Sequence, residues 1–300
     1  MTPAPKPSFT SASAFMKVGR EAHQDPELRR PLLRKLQKHF QATVVSFFTS
    51  FTRPGVQITD DDAEMLESVL AVEHGDGKLV LILNSPGGQA LAAERIVNVC
   101  RAYSCGKFEV VIPHMAKSAA TMICFGASTI HMSKTAELGP VDPQVPYKDE
   151  TGNEKWISAQ EYVRSYRKLI EQASSGQFPR IEPFLQQLNR FDAREIEAME
   201  SAQGLSADIS VQLLKSGMMA GLAEVDIRAK IDRFLSQTET RSHGRMINHA
   251  GAEASGLNVN ILDLHSEVWN TLWELFVRSD WSVSSNCNKI IESPTAAVNA

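Results

Sequence analysis

The sequence predicts an α/β domain built on a mainly parallel sheet, with extra helices toward its C-terminal end. Three observations predict it. Lys78-Leu-Val-Leu-Ile-Leu83 is a continuous apolar run, the pattern of a strand buried on both faces. Strand-like and helix-like segments alternate in β-α-β-α-β order between residues 42 and 133, which requires parallel pairing through right-handed crossovers. Two of these strand-like segments end in turns of small residues, Asn84-Ser-Pro-Gly-Gly88 and His114-Met-Ala-Lys-Ser118, at the sheet edge where α/β folds place ligands.

Residues 1–25 open MTPAPKPSFTSASAF, a Pro/Ser/Thr-rich stretch expected to form a loosely attached arm; it lacks the apolar core of a signal peptide. Residues 27–39 are basic on balance and read as a surface helix. ATVVSFFTSF (42–51) is rich in β-branched and aromatic residues and reads as a strand. Thr59, followed by three aspartates, caps a helix running to residue 73. The buried strand 78–83 leads through 84–88 into a helix over 89–103, then a strand at 108–113, a helix at 118–127 and a short strand at 128–133. Residues 140–155 read as a surface loop or hairpin, 158–235 as helical, and Val268–Val277 as an apolar helix carrying Trp269 and Trp273. The last twenty residues read as poorly ordered. The expected organisation is an arm (1–25), one domain (26–262), and a C-terminal helix with a disordered tail (263–300).

The chain has 300 residues, 43% hydrophobic and 22% charged, enough for a large core, and its net charge of −4 gives no electrostatic footprint for nucleic acid. No apolar run is long enough to span a bilayer, so no integral membrane segment is expected and the reading is cytoplasmic. Cys100, Cys105, Cys124 and Cys287 show no CxxC pair or metal-ligand spacing.

Two segments bear chemistry. At 84–88 the paired Gly87 and Gly88 let backbone N–H groups approach a ligand unobstructed, just before a helix; the alternative is a Pro-Gly turn that only joins strand to helix. In HMAKSAATMICFGAS (114–128) a serine stands at a strand-to-helix turn among alanines. Ser118 is then either a helix cap, the commonest role for serine there, or a nucleophile aimed at the ligand edge. It is not a GxSxG elbow, because its flanks are Ala and Lys117. "AELGPVDPQ" (136–144) adds Glu137 and Asp142, as cleft lining or a simple turn, and "SHGRMI" (242–247) adds His243.

Together, "LILNSPGG", "KSAATMICFGA" and "ELGPVDPQ" resemble the serine dehydrogenase proteinase family, within the superfamily of the Clp protease proteolytic subunit and signal peptide peptidase A. The resemblance covers roughly residues 40–260. It implies a crotonase-like spiral of β-β-α units, often assembled into homo-oligomers. It implies a serine endopeptidase acting on a peptide or protein substrate without metal or organic cofactor. By position Ser118 matches the nucleophile, and Gly87, Gly88 and the Ala119 N–H match the oxyanion hole. "AEASGL" (252–257) matches the helix and turn that close the core.

The general base departs from the pattern. The histidine of the Clp protease triad falls here at Val141 or Asp142, and His131 comes too early. One substitute is a lysine, as in signal peptide peptidase A: Lys155 or Lys168, with Lys148 third. The other is His243, oriented by Asp142, in a permuted triad with Ser118. Lys117 adjoins Ser118 in sequence and points elsewhere; with Glu137 it is a candidate substrate-binding residue. Two further readings stay open: a scaffold that keeps the cleft but lacks a base, and an acyl-CoA enzyme using the same donors with the Glu137 or Asp142 carboxylate as general base.

Overall fold

The structure, a computed structural model, describes residues 26–73, 77–148, 151–178, 180–236 and 245–300. The expected arm at 1–25 and His243 lie outside the described residues.

The centre of the sheet, its first three parallel strands, is buried on both sides. β1 (Thr43–Thr49), β2 (Leu79–Asn84), β3 (Phe108–Ile112), β5 (Thr129–Met132) and β9 (Val259–Ile261) pair in parallel, in that order. Every residue of β2 is buried, so alternate side chains feed two separate cores. Leu79, Leu81 and Leu83 join Val45, Phe47, Val110, Ile112 and Ile130 on one face. Val80 and Ile82 join Val44, Phe48 and Val111 on the other.

The first face is covered by α2 (Asp60–Glu73), α3 (Ala90–Tyr103), α4 (Ala119–Phe125) and α7 (Ala193–Lys215), through residues such as Leu66, Ile96, Ile123 and Leu214. The second is covered by α1 (Pro26–Phe40) and α11 (Glu267–Ser285). The basic helix at 27–39 is therefore no surface helix: it buries Arg29, Leu32, Leu33, Leu36 and Phe40 while its lysines stay outside. Between α4 and α7 run β6 (Glu137–Leu138), a hairpin of β7 (Gln144–Lys148) and β8 (Glu154–Ser158), then α5 (Ala159–Ser174) and α6 (Glu182–Leu188). After α7 come α8 (Glu224–Lys230), α9 (Asp232–Leu235) and α10 (His249–Ala254). Among the described residues no helix is long and apolar enough to cross a membrane.

The C-terminal tail departs from expectation. Instead of loose chain, 289–300 forms β10 (Lys289–Glu292) and β11 (Ala297–Asn299), which extend the sheet antiparallel to β1. The central sheet thus has seven strands in the order β11-β10-β1-β2-β3-β5-β9. An ion pair between buried side chains fastens this edge: Arg29 Nε and Nη2 donate to the two carboxylate oxygens of Glu292 at 2.6 and 2.5 Å.

A second, short ladder crosses the C-terminal ends of the parallel strands. β4 (Met115–Ala116) pairs with β6, and isolated bridges join Ile58 to Gly88, Ser85 to Ala116 and Leu138 to Ile247. Each long strand is therefore followed by a short extended piece and then by a helix or hairpin, which is the β-β-α repeat the resemblance implied. This ladder brings the turn after β2 beside the turn after β3.

Candidate active site

The turn that ends β3 passes through β4 and enters α4 at Ser118. The ladder holds it: Ser85 N–H donates to Met115 O at 3.1 Å, and Lys117 N–H donates to Ser85 O at 3.0 Å. Asn84, wholly buried, accepts the Met115 N–H on its Oδ1 at 3.0 Å. Thr121 Oγ1 donates to Ala116 O or Gly139 O, at 2.8 and 2.9 Å, on the far side of the turn.

Ser118 takes the N-cap position of α4 and does not cap it. Its backbone sits at φ 51° and ψ −121°, and its hydroxyl makes no cap hydrogen bond. Positive φ at a non-glycine residue costs on the order of 1–3 kcal/mol and persists only where the surroundings enforce it. A strained strand-to-helix turn of this kind lifts a serine hydroxyl out of the backbone, as nucleophile elbows do. The cap reading therefore fails on geometry. The first residues behind Ser118, Ala119, Ala120 and Thr121, are small where the helix starts under the turn, and all seven residues of α4 are buried.

Gly87 lies against this serine. At its φ of 103° a Cβ would fall 2.7 Å from Ser118 Cβ and 3.0 Å from Ala119 N, so only glycine fits. Gly87 N–H donates to Ser85 Oγ at 3.1 Å, and Gly87 O accepts from Ile58 N–H at 2.9 Å. In a planar trans peptide the C=O of one residue and the N–H of the next point opposite ways. The Ile58 contact thus turns the Gly88 N–H away from Ile58. Among the described residues neither the Gly88 nor the Ala119 N–H makes a hydrogen bond. These two amides are the free donors of the site, whereas the Gly87 amide is committed to Ser85.

Lys117 and Glu137 meet each other: Lys117 Nζ lies 2.5 Å from Glu137 Oε1, both side chains largely buried. Gly139 makes room, since a Cβ there would lie 2.5 Å from Lys117 Cδ. Lys117 points along β6, away from a role as base.

The base candidates are spread out. Asp142 is buried and has a partner. Phe234 O accepts from Val141 N–H, and Ile247 exchanges two backbone hydrogen bonds with Leu138, so the described residues on both sides of 237–244 are fastened to the 138–141 strand. Lys155 stands on β8, its backbone opposite Tyr147, and Lys148 opposite Glu154; the side chains of both lie outside what is described. Lys168 is exposed on α5. His131 is occupied elsewhere: its Nε2 is 2.7 Å from Glu109 Oε2 and its Nδ1 is 2.8 Å from Asn260 Nδ2.

Sequence reasoning missed the residues that support the two turns. Thr49 Oγ1 donates to Ser85 Oγ at 2.8 Å beneath the glycine turn. His114, its ring tilted against Phe276 at a centroid distance of 5.1 Å, precedes β4. Burial lowers the His114 pKa despite the opposing pull of Asp280 and Glu137. Asn84 and Ser85 adjoin the glycine motif, and that adjacency was the available signal. Asp280 on α11 carries none.

Comparison with known proteins follows the same segment. Residues 20–153 match the family model of the ClpP-like SDH-type serine proteinase. Two uncharacterized proteins of Methanocaldococcus jannaschii are similar. MJ1495 is 30% identical over 151 residues, 50% of this chain and 51% of that protein. MJ0137 is 32% identical over 124 residues, 39% and 43% of the two chains. The chain thus spans about half the length of the curated relatives it matches. Among solved structures, a mutant of the membrane-bound stomatin-specific protease 1510-N aligns at 20% identity, covering 39% of this chain and 59% of that one, with a TM-score of 0.28.

Proposed function

We propose that this chain, whose residues 20–153 match the family model of the ClpP-like SDH-type serine proteinase, is a serine endopeptidase with Ser118 as nucleophile. The observation that carries the reading is the strained, uncapped Ser118 beside a glycine turn, with the Gly88 and Ala119 amides free of partners.

The Ser118 Oγ attacks the carbonyl carbon of a peptide bond, and its proton passes to the base. The carbonyl oxygen becomes an oxyanion that accepts from the Gly88 and Ala119 N–H groups, a contribution worth about 3–4 kcal/mol per donor in other serine enzymes. Collapse expels the amine, which takes the proton from the base. Water, deprotonated by the same base, then attacks the acyl-serine and frees Ser118. The base is His243 oriented by Asp142, or Lys155 or Lys168. Lys117 and Glu137 flank the nucleophile and contact the substrate backbone or its charged groups. The exposed Phe178, Ile181 and Leu185 around α6 support assembly into a homo-oligomer.

The test is labelling by a fluorophosphonate together with cleavage of a fluorogenic peptide library. Wild type should label and cleave, and Ser118→Ala should do neither. Among His243→Ala, Lys155→Ala and Lys168→Ala, the variant that abolishes both identifies the base. A wild-type protein that neither labels nor cleaves at any pH overturns the peptidase reading in favour of a scaffold. Coenzyme A binding that survives Ser118→Ala redirects it to acyl-CoA chemistry. Light scattering of the purified protein reads the assembly state.

A further inference from the structure

We propose that Thr49 and Ser85 are positioning residues that aim the Gly88 amide at the developing oxyanion; this rests on the peptidase reading above. Both side chains are wholly buried, one at the end of β1 and the other just past the end of β2, where parallel pairing sets the two strands side by side. The Ser85 hydroxyl oxygen accepts from Thr49 Oγ1 at 2.8 Å and from Gly87 N–H at 3.1 Å.

These bonds complete the restraint of the turn. Gly87 has the conformational freedom of a residue without Cβ, so its geometry has to be imposed from outside. Ser85 fixes the amide on its N-terminal side and Ile58 the carbonyl on its C-terminal side. With both peptide planes held, the Gly88 N–H has one direction. Thr49 fixes the Ser85 rotamer in turn, so a hydroxyl on a neighbouring strand controls the orientation of an amide it never touches. An oxyanion donor acts through being oriented before charge develops, and misplacing a reacting group by about 1 Å costs on the order of a hundredfold in rate.

Thr49→Val keeps the shape of the side chain and removes only the hydroxyl. Ser85→Ala leaves both the Gly87 amide and the Thr49 hydroxyl without an acceptor. Both variants should lose between about tenfold and a hundredfold in kcat and in the rate of fluorophosphonate labelling, with KM within about twofold of wild type. Thr49→Ser, which restores the hydroxyl, should recover most of the loss. Melting curves accompany each variant, and Ser85→Ala serves if Thr49→Val does not fold. If wild type cleaves, Ser118→Ala is dead and the folded Thr49→Val or Ser85→Ala variants turn over at the wild-type rate, the relay is wrong and the peptidase reading stands. A loss in KM alone, or a loss that Thr49→Ser shares in full, also overturns the relay. If wild type neither cleaves nor labels, the peptidase reading falls and the relay falls with it.

Discussion

Gly87 and Ser118 lie so close that a methyl group on the glycine would sit 2.7 Å from the serine Cβ. Gly87→Ala must therefore move the serine or the turn, and it also forces alanine to φ 103°. The expected outcome is loss of fluorophosphonate labelling by a hundredfold or more, with destabilisation of about 1–3 kcal/mol in chemical denaturation. Labelling at the wild-type rate would show that the two turns are not rigidly apposed.

Ser118 makes opposite demands on stability and chemistry. Since its hydroxyl caps nothing, Ser118→Ala should change stability by less than about 0.5 kcal/mol, whereas removing a true cap costs about 1 kcal/mol. Ser118→Gly should stabilise the fold by about 1 kcal/mol, because glycine relieves the positive φ. Both variants should be inactive in peptide cleavage and labelling. Denaturant midpoints for the three proteins decide the point; a clearly destabilised Ser118→Ala would restore the cap.

Acid should weaken the fold through a network on the far side of the sheet. Glu109 Oε2 binds Lys78 Nζ at 2.8 Å and His131 Nε2 at 2.7 Å. Burial lowers the His131 pKa below its usual 6.5, with Glu109 opposing. Burial raises the Glu109 pKa, but hydrogen bonds from Lys78 and His131 more than offset that and hold it below 4.5. Both groups bind fewer protons folded than unfolded. Stability is thus full above the unfolded histidine pKa, declines as pH falls from 6.5 through the folded His131 pKa, and declines again below 4.5 as Glu109 protonates. Denaturation midpoints across this range should follow that course, and His131→Gln should flatten the upper step. An unchanged profile in His131→Gln would remove His131 as its source.

The Arg29–Glu292 pair ties the first described helix to the C-terminal edge of the sheet. Both side chains are nearly inaccessible, so Arg29→Met strands the Glu292 carboxylate. Arg29→Met should cost about 3–5 kcal/mol and Glu292→Leu should also destabilise, while the two combined should recover much of the loss. Equilibrium unfolding of the four proteins measures the coupling, and additive losses would deny it.

Local pattern carried the sequence reading as far as it went. The β2 run, the paired glycines and the Ala-Ala-Thr start of α4 declare themselves within a few residues, because burial on both faces and close backbone approach select residue types directly. The tail misled for the opposite reason. Asn288-Lys-Ile-Ile-Glu-Ser293 looks polar and short, and what makes it a strand is β1 and Arg29, 263 residues from Glu292. The same holds for α1, whose positive charge hid an apolar stripe facing α11. Thr49 escaped notice because nothing near it in sequence says that its hydroxyl reaches the motif after β2. A choice among His243, Lys155 and Lys168 was not legible, since no local pattern ties any of them to Ser118.

The place of β10 beside β1 also sets an order of events in time. Thr43–Thr49 is made well before Lys289–Glu292, and its β10 edge stays open until that segment arrives. Until then a hydrophobic strand offers unpaired amides and carbonyls to any neighbour, the situation that invites association between nascent chains. Closing this edge is thus a long-range step, and truncating the chain before Lys289 should raise its tendency to aggregate.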